Sequence, residues 1–248
     1  MALSQADRAL GRLDGSIQTL PHPDLLEYMY VRKEAVLLSQ IEGTQSSLQD
    51  VIAAEAKILA PDRPQAHVQF ETIHPFLDGS GRVGRLLITF LLCERQVLLK
   101  PVLYLSYFFK HHRPQYYEHL QAVRDTGAWE EWLQFFLNGV IEVSGQATET
   151  ARKILSLREQ HRLSITEKLG RAAANGYRVL EHLYQHLIVS VNEVQTLIGT
   201  TYPAANDLVA RLVDCGILAE ITGQQRNQRY MYKSYIDLFH DPSPEQAQ

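Results

Sequence analysis

The stretch His74-Pro-Phe-Leu-Asp78-Gly79-Ser80-Gly81-Arg82-Val-Gly-Arg85 carries most of the information in this chain of 248 residues. In one short run it combines an imidazole, a carboxylate, closely spaced glycines and two guanidinium groups. Gly79 and Gly81 allow the backbone to turn so that successive N–H groups converge, and the apolar run that follows predicts a helix beginning at the same place. The stretch therefore predicts a site for phosphate groups.

The order and spacing of these residues resemble the catalytic loop of Fic-domain proteins, H-x-F-x-[D/E]-G-N-G-R-x-x-R. One position departs from that pattern, because Ser80 stands where the family has Asn. A hydroxyl can still donate one hydrogen bond, so we expect weaker nucleotide binding rather than its loss. Gly79 follows the adenylylating branch of the family, since the kinase-like Doc branch has Ala there.

The resemblance implies an all-α Fic-like helical bundle that transfers AMP from ATP to a hydroxyl side chain of a target protein (AMPylation). His74 would be the general base, because an imidazole titrates near neutral pH. Asp78 is a hard oxygen ligand suited to Mg²⁺, the cofactor that would bridge the phosphates. The resemblance therefore implies a protein adenylyltransferase with ATP as its substrate and an unknown target protein.

Nucleotide binding is assigned to the glycine-rich loop and to the arginines that follow it. Backbone N–H groups of Gly79, Ser80 and Gly81 would contact the phosphates, and Arg82 and Arg85 supply planar forks that bind phosphate oxygens. Each residue alone has an ordinary role, since Asp-Gly is a turn dipeptide and an arginine can lie on a solvated helix face. Their conjunction favours a site, because a turn has no use for His, Asp and two Arg together.

Upstream, Tyr30-Val-Arg-Lys-Glu-Ala-Val-Leu-Leu38-Ser39-Gln-Ile-Glu42-Gly43-Thr44 resembles the inhibitory helix of self-restrained Fic proteins. The resemblance implies that Glu42 pairs with Arg85 and blocks the γ-phosphate, which would keep basal activity low. The chain has Leu38 where the family sets Ser or Thr, four residues before the glutamate. In some family members the same glutamate drives removal of AMP, so the direction of the chemistry stays open. The alternative is a surface glutamate that ends a helix at Gly43.

The core is shortened between these two motifs. Only Thr44 to Ile73 intervenes, which is too short for the further helices and the β-hairpin flap that family members of this architecture carry there. That flap pairs with the target backbone and sets the hydroxyl in line with the α-phosphate. Two interpretations remain open, a shortened enzyme or a degenerate Fic protein that acts as a nucleotide-binding or regulatory module.

Breaks in the helical pattern divide the chain into parts. The predicted parts are an N-terminal helical region with the inhibitory helix (1–60), a truncated Fic-like catalytic core (61–162), a winged helix-turn-helix domain (163–240) and a disordered tail (241–248). A nearly all-apolar helix from Arg82 to about Gln96 is expected in the middle of the bundle. The aromatic segment Tyr104 to Trp132 is expected to pack the bundle. A long helix from Trp129 to Arg162 leads to a candidate hinge at Leu163 to Ala174.

The pattern of the C-terminal region predicts three helices and a β-hairpin. The helices are expected at Tyr177 to His186, after the cap residue Ser190 and up to Gly199, and at Tyr202 to Cys215, with strands at Ile217 to Thr222 and Arg229 to Lys233. This order resembles the winged helix of many Fic proteins. Basic and acidic residues balance in this region, whereas a DNA reader usually has a cationic face. DNA binding therefore stays open beside protein docking or a homodimer.

Net charge, cysteine spacing and the length of apolar segments argue against several classes of protein. A net charge of −4 argues against a general nucleic-acid coat. The cysteines, Cys93 and Cys215, lie far apart, so neither a disulfide framework nor a zinc cluster is indicated. No apolar segment approaches the roughly 20 residues that a membrane crossing needs, and the N-terminus lacks the pattern of a targeting segment. We therefore expect a cytoplasmic protein without a membrane partner.

Overall fold

A computed structural model describes residues 1–41, 80–224 and 227–239, with the backbone alone at 35–36, 38–41 and 80–82. The chain divides into two compact units. The first contains Met1–Thr19 and Leu26–Ala151, and the second contains Leu20–Leu25 and the chain from Arg152 onward. Helix dominates both units, in agreement with the predicted helical fold. No helix in these ranges is both long enough and apolar enough to cross a bilayer.

The described helices of the first unit include the predicted apolar helix after the loop and the predicted long helix that starts at Trp129. They are α1 (Ala2–Gln18), α2 (Pro23–Ile41), α3 (Ser80–Glu94), α4 (Ser106–His111), α5 (Arg113–Thr126) and α6 (Trp129–Leu169), of which α6 continues into the second unit. Proline suits the first turn of a helix because its missing N–H has no intrahelical acceptor there, and α2 begins at Pro23. In α3, Leu87, Ile88 and Leu91 are buried, as expected of a helix inside a bundle.

Aromatic rings fill the core beside α4, α5 and α6. Phe109 stacks on Tyr116 with ring centroids 4.5 Å apart, and Trp132 and Phe135 of α6 lie 6.1 Å from each other in the same cluster. Phe109 and Tyr116 are almost fully buried. The prediction that this segment packs the bundle is confirmed.

Helix α6 is longer than the sequence pattern predicted. It passes through Arg162, the expected end, and continues to Leu169 before a 3₁₀ turn at Gly170–Ala172. Ile165 and Leu169 are both buried, so apolar contacts stabilise these added turns. The chain is thus helical through the first part of the segment that was expected to be a hinge.

The second unit combines short helices with a small antiparallel sheet. Its elements are α7 (Ala173–Leu183), β1 (Ile188–Ser190), α8 (Val191–Ile198), α9 (Tyr202–Asp214), β2 (Ala219–Glu220), β3 (Arg229–Met231) and α10 (Lys233–Asp237). Strand β3 lies between β1 and β2 and pairs antiparallel with each. The hairpin strands are shorter than predicted, and β1 and α10 were not predicted. Both are too short to show a period in the sequence.

The ends of α8 agree with the predicted boundaries. The Ser190 hydroxyl accepts a hydrogen bond from the backbone N–H of Glu193, whose side chain accepts one from the N–H of Ser190. This reciprocal pair is a capping box. At the other end, Gly199 has φ 67°, a left-handed conformation that ends a helix at little cost only for glycine.

Candidate functional site

The predicted phosphate loop leads directly into α3. Glu42, His74, Asp78 and Gly79 lie outside the described residues, so the structure assigns them no geometry. The backbone of Ser80, Gly81 and Arg82 is helical and forms the N-terminal turn of the described part of α3. The first N–H groups of a helix have no intrahelical acceptor and carry partial positive charge, so this end of α3 favours an anion.

Arg85, on the second turn of α3, is the predicted phosphate ligand whose side chain is described. It is only 3% exposed, and the neighbouring Gly84 is buried as well. Burying a guanidinium is costly unless opposite charge and hydrogen bonds compensate for lost water. The positive charge of Arg85 acts on the carboxylate of Glu34 in α2.

Glu34 of α2 is 1% exposed and is held by Ser106, the first residue of α4. The Ser106 hydroxyl and its backbone N–H both donate hydrogen bonds to the Glu34 carboxylate. Burial raises the pKa of Glu34 to about 7, while the Ser106 hydrogen bonds and the positive charge of Arg85 oppose that rise. Glu34 and Arg85 are thus opposite charges that act on each other inside the first unit.

A small cavity lies against this carboxylate. Its volume is about 40 Å³, and residues of α2, of the segment entering α4 and of α6 line it, including Lys33, Tyr104 and Gln146. The Oε2 atom of Glu34 has no hydrogen-bond partner within the part of the chain that the structure describes. Since one water needs roughly 10–15 Å³ of such space, the cavity has room for ordered water beside the carboxylate.

Aromatic and polar contacts fix the walls around Glu34. The rings of Tyr30 and Tyr104 stack with centroids 6.3 Å apart, and the Lys33 ammonium lies 5.4 Å from the centroid of the Tyr107 ring. Burial, and secondarily the negative charge of Glu34, raise the pKa of Tyr104, which therefore stays a neutral phenol. The hydroxyl of Thr89 in α3 donates to the carbonyl oxygen of Leu103, which ties α3 to the segment entering α4.

Sequence reasoning missed Glu34 and Ser106. Glu34 lies four residues after Tyr30 and three before Leu37, and all three side chains are buried. This spacing places a carboxylate within the apolar stripe of a helix, which is unusual unless the charge has a partner. That pattern was available in the sequence. Ser106 gave no comparable signal, because only the fold brings it to α2.

Within residues 1–41, 80–224 and 227–239, no group of three or more His, Cys, Asp or Glu side chains could hold a metal ion. The predicted Mg²⁺ ligand, Asp78, lies outside these ranges. Its role therefore stays a prediction.

Comparison with known proteins finds similarity to a family model and to a curated relative. Residues 1–71 match the model of the Fic/DOC family N-terminal domain, a range that includes α1 and α2 and ends before His74. A stretch of 91 residues is 33% identical to "Protein adenylyltransferase Fic" of Culex quinquefasciatus. That stretch is 37% of this chain and only 16% of the length of that relative.

Proposed function

Since this chain is a member of the Fic/DOC family, we propose that it transfers the AMP group of ATP to a hydroxyl side chain of a target protein. The observation that carries the proposal is Arg85, a buried guanidinium on the second turn of the helix that begins where the glycine-rich loop ends. A helix N-terminus and a fixed guanidinium together favour a bound polyphosphate.

The reaction is an in-line displacement at the α-phosphorus. His74 accepts the proton of the target hydroxyl, whose oxygen forms a bond to the α-phosphorus. The bond from that phosphorus to the oxygen bridging to the β-phosphate breaks, and pyrophosphate leaves. Such transfers are catalysed mainly by positioning and electrostatics, so the phosphate contacts matter as much as the base.

The remaining loop residues hold the nucleotide. Backbone N–H groups of Gly79, Ser80 and Gly81 donate to phosphate oxygens, and the guanidinium groups of Arg82 and Arg85 add charge-assisted hydrogen bonds. Mg²⁺ bound by Asp78 would neutralise part of the phosphate charge.

Self-inhibition is the second part of the proposal. The last described residue of α2 is Ile41, and Glu42 is the next residue in the chain. A pair between Glu42 and Arg85 would occupy the guanidinium that the phosphates need, and activity would rise when the pair opens.

Labelled ATP tests this function. The Glu42→Gly protein, incubated with Mg²⁺ and ATP labelled at the α-phosphate, should become labelled or should label a protein in a cell extract. The Glu42→Gly/His74→Ala protein should give no label, and ATP labelled at the γ-phosphate should give none with either variant. Label from the γ-phosphate would indicate a kinase and would contradict the proposal.

A regulatory module is the competing function, and the second unit supports it. The order α7, β1, α8, α9, β2, β3, with β3 between the other strands, fits a winged helix-turn-helix. Arg211 of α9 donates to the carbonyl oxygen of Lys168, and Arg229 of β3 lies 3.1 Å from the carboxylate of Glu193. Because these guanidinium groups already have partners within the unit, protein docking is favoured over DNA binding. Retention on random duplex DNA at about 0.1 M salt, with no label from ATP, would support the DNA-binding regulator.

A further inference from the structure

We propose that His182 and His186, one helical turn apart at the end of α7, together bind a divalent transition-metal ion of the Zn²⁺, Cu²⁺ or Ni²⁺ class. The site lies in the second unit and does not depend on the AMP transfer proposed above. It assigns a role to two imidazoles that neither the loop chemistry nor the winged helix uses.

The two histidines are joined by one turn of helical backbone. The backbone N–H of His186 donates to the carbonyl oxygen of His182 at 2.9 Å, so the helical hydrogen-bond pattern continues past Leu183, the last residue of α7. Residues four apart on a helix are neighbours on its surface, and here the two ring centroids lie 4.6 Å apart. Two histidines with this spacing on a helix are a known arrangement for binding zinc.

The separation of the rings agrees with that of a chelate. A metal ion lies about 2.0–2.1 Å from an imidazole nitrogen and therefore about 3.2 Å from the ring centroid. If two rings bind one ion at an angle of about 90–110°, their centroids are about 4.5–5.2 Å apart. The observed 4.6 Å lies within that range. Rotation of the side chains is therefore enough for both imidazoles to bind one ion.

The nitrogens of both rings are available to a metal. Within the part of the chain that the structure describes, neither imidazole makes a hydrogen bond. His186 is exposed and His182 is half-buried. Burial, and secondarily the charge of His186, lower the pKa of His182, so this ring is mainly in the neutral form that binds metals at neutral pH.

An open cleft beside the rings gives a metal ion room and a favourable charge. Its volume is about 540 Å³, and Asn192, Glu193 and Thr196 of α8 line it together with the two histidines. The negative charge of Glu193 acts to raise the pKa of His182, which means that it favours a cation at this ring. The carbonyl groups at the C-terminal end of α7 add partial negative charge. Water in the cleft would complete the coordination of the ion.

The two donors select the class of ion. Imidazole nitrogen suits Zn²⁺, Cu²⁺ and Ni²⁺, whereas Mg²⁺ and Ca²⁺ need several oxygen ligands. Cu²⁺ should bind more tightly than Zn²⁺, as in the usual order of affinities. The site thus differs in ligands and in metal from the Mg²⁺ site predicted at Asp78.

Calorimetric titration of the full chain, carrying no affinity tag, with ZnCl₂ at pH 7.5 tests the site. The parent should bind Zn²⁺ with a Kd below about 100 µM. His182→Asn and His186→Asn should each weaken this binding by at least about tenfold, because a single imidazole cannot chelate. Titration with MgCl₂ should give no heat that depends on either histidine.

His111→Asn is the matched control. His111 precedes His112 in the chain, and adjacent residues of a helix do not face each other, so this second pair of histidines should not chelate. The control should bind Zn²⁺ as the parent does. In nuclear magnetic resonance spectra of isotope-labelled histidine, Zn²⁺ should shift the ring nitrogen signals of His182 and His186 together and leave those of His111 unchanged.

Two results would overturn the site. The first is a His186→Asn protein that binds Zn²⁺ as tightly as the parent; this variant is decisive because His186 is exposed, and circular dichroism checks that it is folded. The second is a parent whose Kd for Zn²⁺ exceeds about 1 mM. Neither result bears on AMP transfer, which is measured with labelled ATP.

Discussion

Ser106, the first residue of α4, donates its hydroxyl and its backbone N–H to the carboxylate of Glu34 in α2. These two hydrogen bonds from Ser106 thus replace some of the hydrogen bonds to water that the carboxylate loses when it is buried. The compensation is incomplete, because desolvation remains the largest influence on Glu34 and raises its pKa. The protein therefore contains an acid inside its first unit that ionises near neutral pH.

The first prediction concerns stability against pH. The pKa of Glu34 is raised from 4.5 to about 7, so the folded protein binds this proton more tightly than the unfolded chain. Its contribution to stability is complete below about pH 4.5 and is lost as pH rises through 7. Each pKa unit corresponds to about 1.4 kcal/mol, so the loss is on the order of 3 kcal/mol. Urea denaturation between pH 5 and 8.5 at constant salt measures it.

Glu34→Gln is the control for this pH dependence. The amide does not ionise, so the free energy of unfolding of this variant should change less between pH 5 and 8.5 than that of the parent. Equal slopes in the two proteins would show that Glu34 does not ionise inside the bundle.

The second prediction concerns two helix caps that differ in their contacts. Ser190 caps α8 through its hydroxyl, whereas the hydroxyl of Thr201 makes no capping hydrogen bond at α9. Ser190→Ala should therefore lower the free energy of unfolding by about 1 kcal/mol, and Thr201→Ala should change it by less than about 0.5 kcal/mol. Urea denaturation of both variants measures the difference, and similar losses would contradict the assigned cap.

The sequence predicted much of the fold because local chemistry marks helix ends strongly. Ser190 as the cap residue and Gly199 as the C-terminal boundary predicted both ends of α8. The local sequence pattern did not predict features that depend on contacts between residues distant in the sequence. Helix α6 continues past Arg162 because Ile165 and Leu169 become buried, which a weak local period does not reveal.

The candidate site was predictable only in part. The glycines and arginines of the loop indicated phosphate chemistry, and the structure places Arg85 inside the bundle on the helix that follows them. The positive charge of Arg85 acts on Glu34, a buried carboxylate that the sequence did not point to, whereas the predicted partner Glu42 lies outside the described residues. The meeting of Glu34 with Ser106 is a tertiary contact, so no spacing in the sequence encodes it.

The third prediction concerns acid sensitivity of the second unit. His161 is buried, its Nδ1 lies 3.0 Å from the hydroxyl of Tyr232, and burial lowers its pKa from 6.5 to about 4. The unfolded chain binds this proton more tightly, so stability is complete above pH 6.5 and falls as pH drops towards 4. After allowance for solvent screening the loss is about 1–2 kcal/mol. Urea denaturation between pH 7 and 4.5 measures it, with His161→Asn as the variant that should lose this pH dependence.

The fourth prediction compares two glycines of α6 that differ in the space around them. A Cβ at Gly145 would meet nothing within 4 Å, whereas one at Gly139 would lie 2.7 Å from Cδ1 of the Phe108 ring. Alanine restricts the unfolded chain and favours helix, so Gly145→Ala should raise the free energy of unfolding by about 0.5–1 kcal/mol.

At Gly139 the same substitution should have the opposite sign. Phe108 is 5% exposed and packs against Phe135 with ring centroids 5.0 Å apart, so its ring has little room to move. Overpacking of this kind costs about 1–3 kcal/mol, which exceeds the gain in helix propensity. Gly139→Ala should therefore lower the midpoint of thermal unfolding while Gly145→Ala raises it. If both variants were stabilised, the close approach of α6 to Phe108 would be refuted.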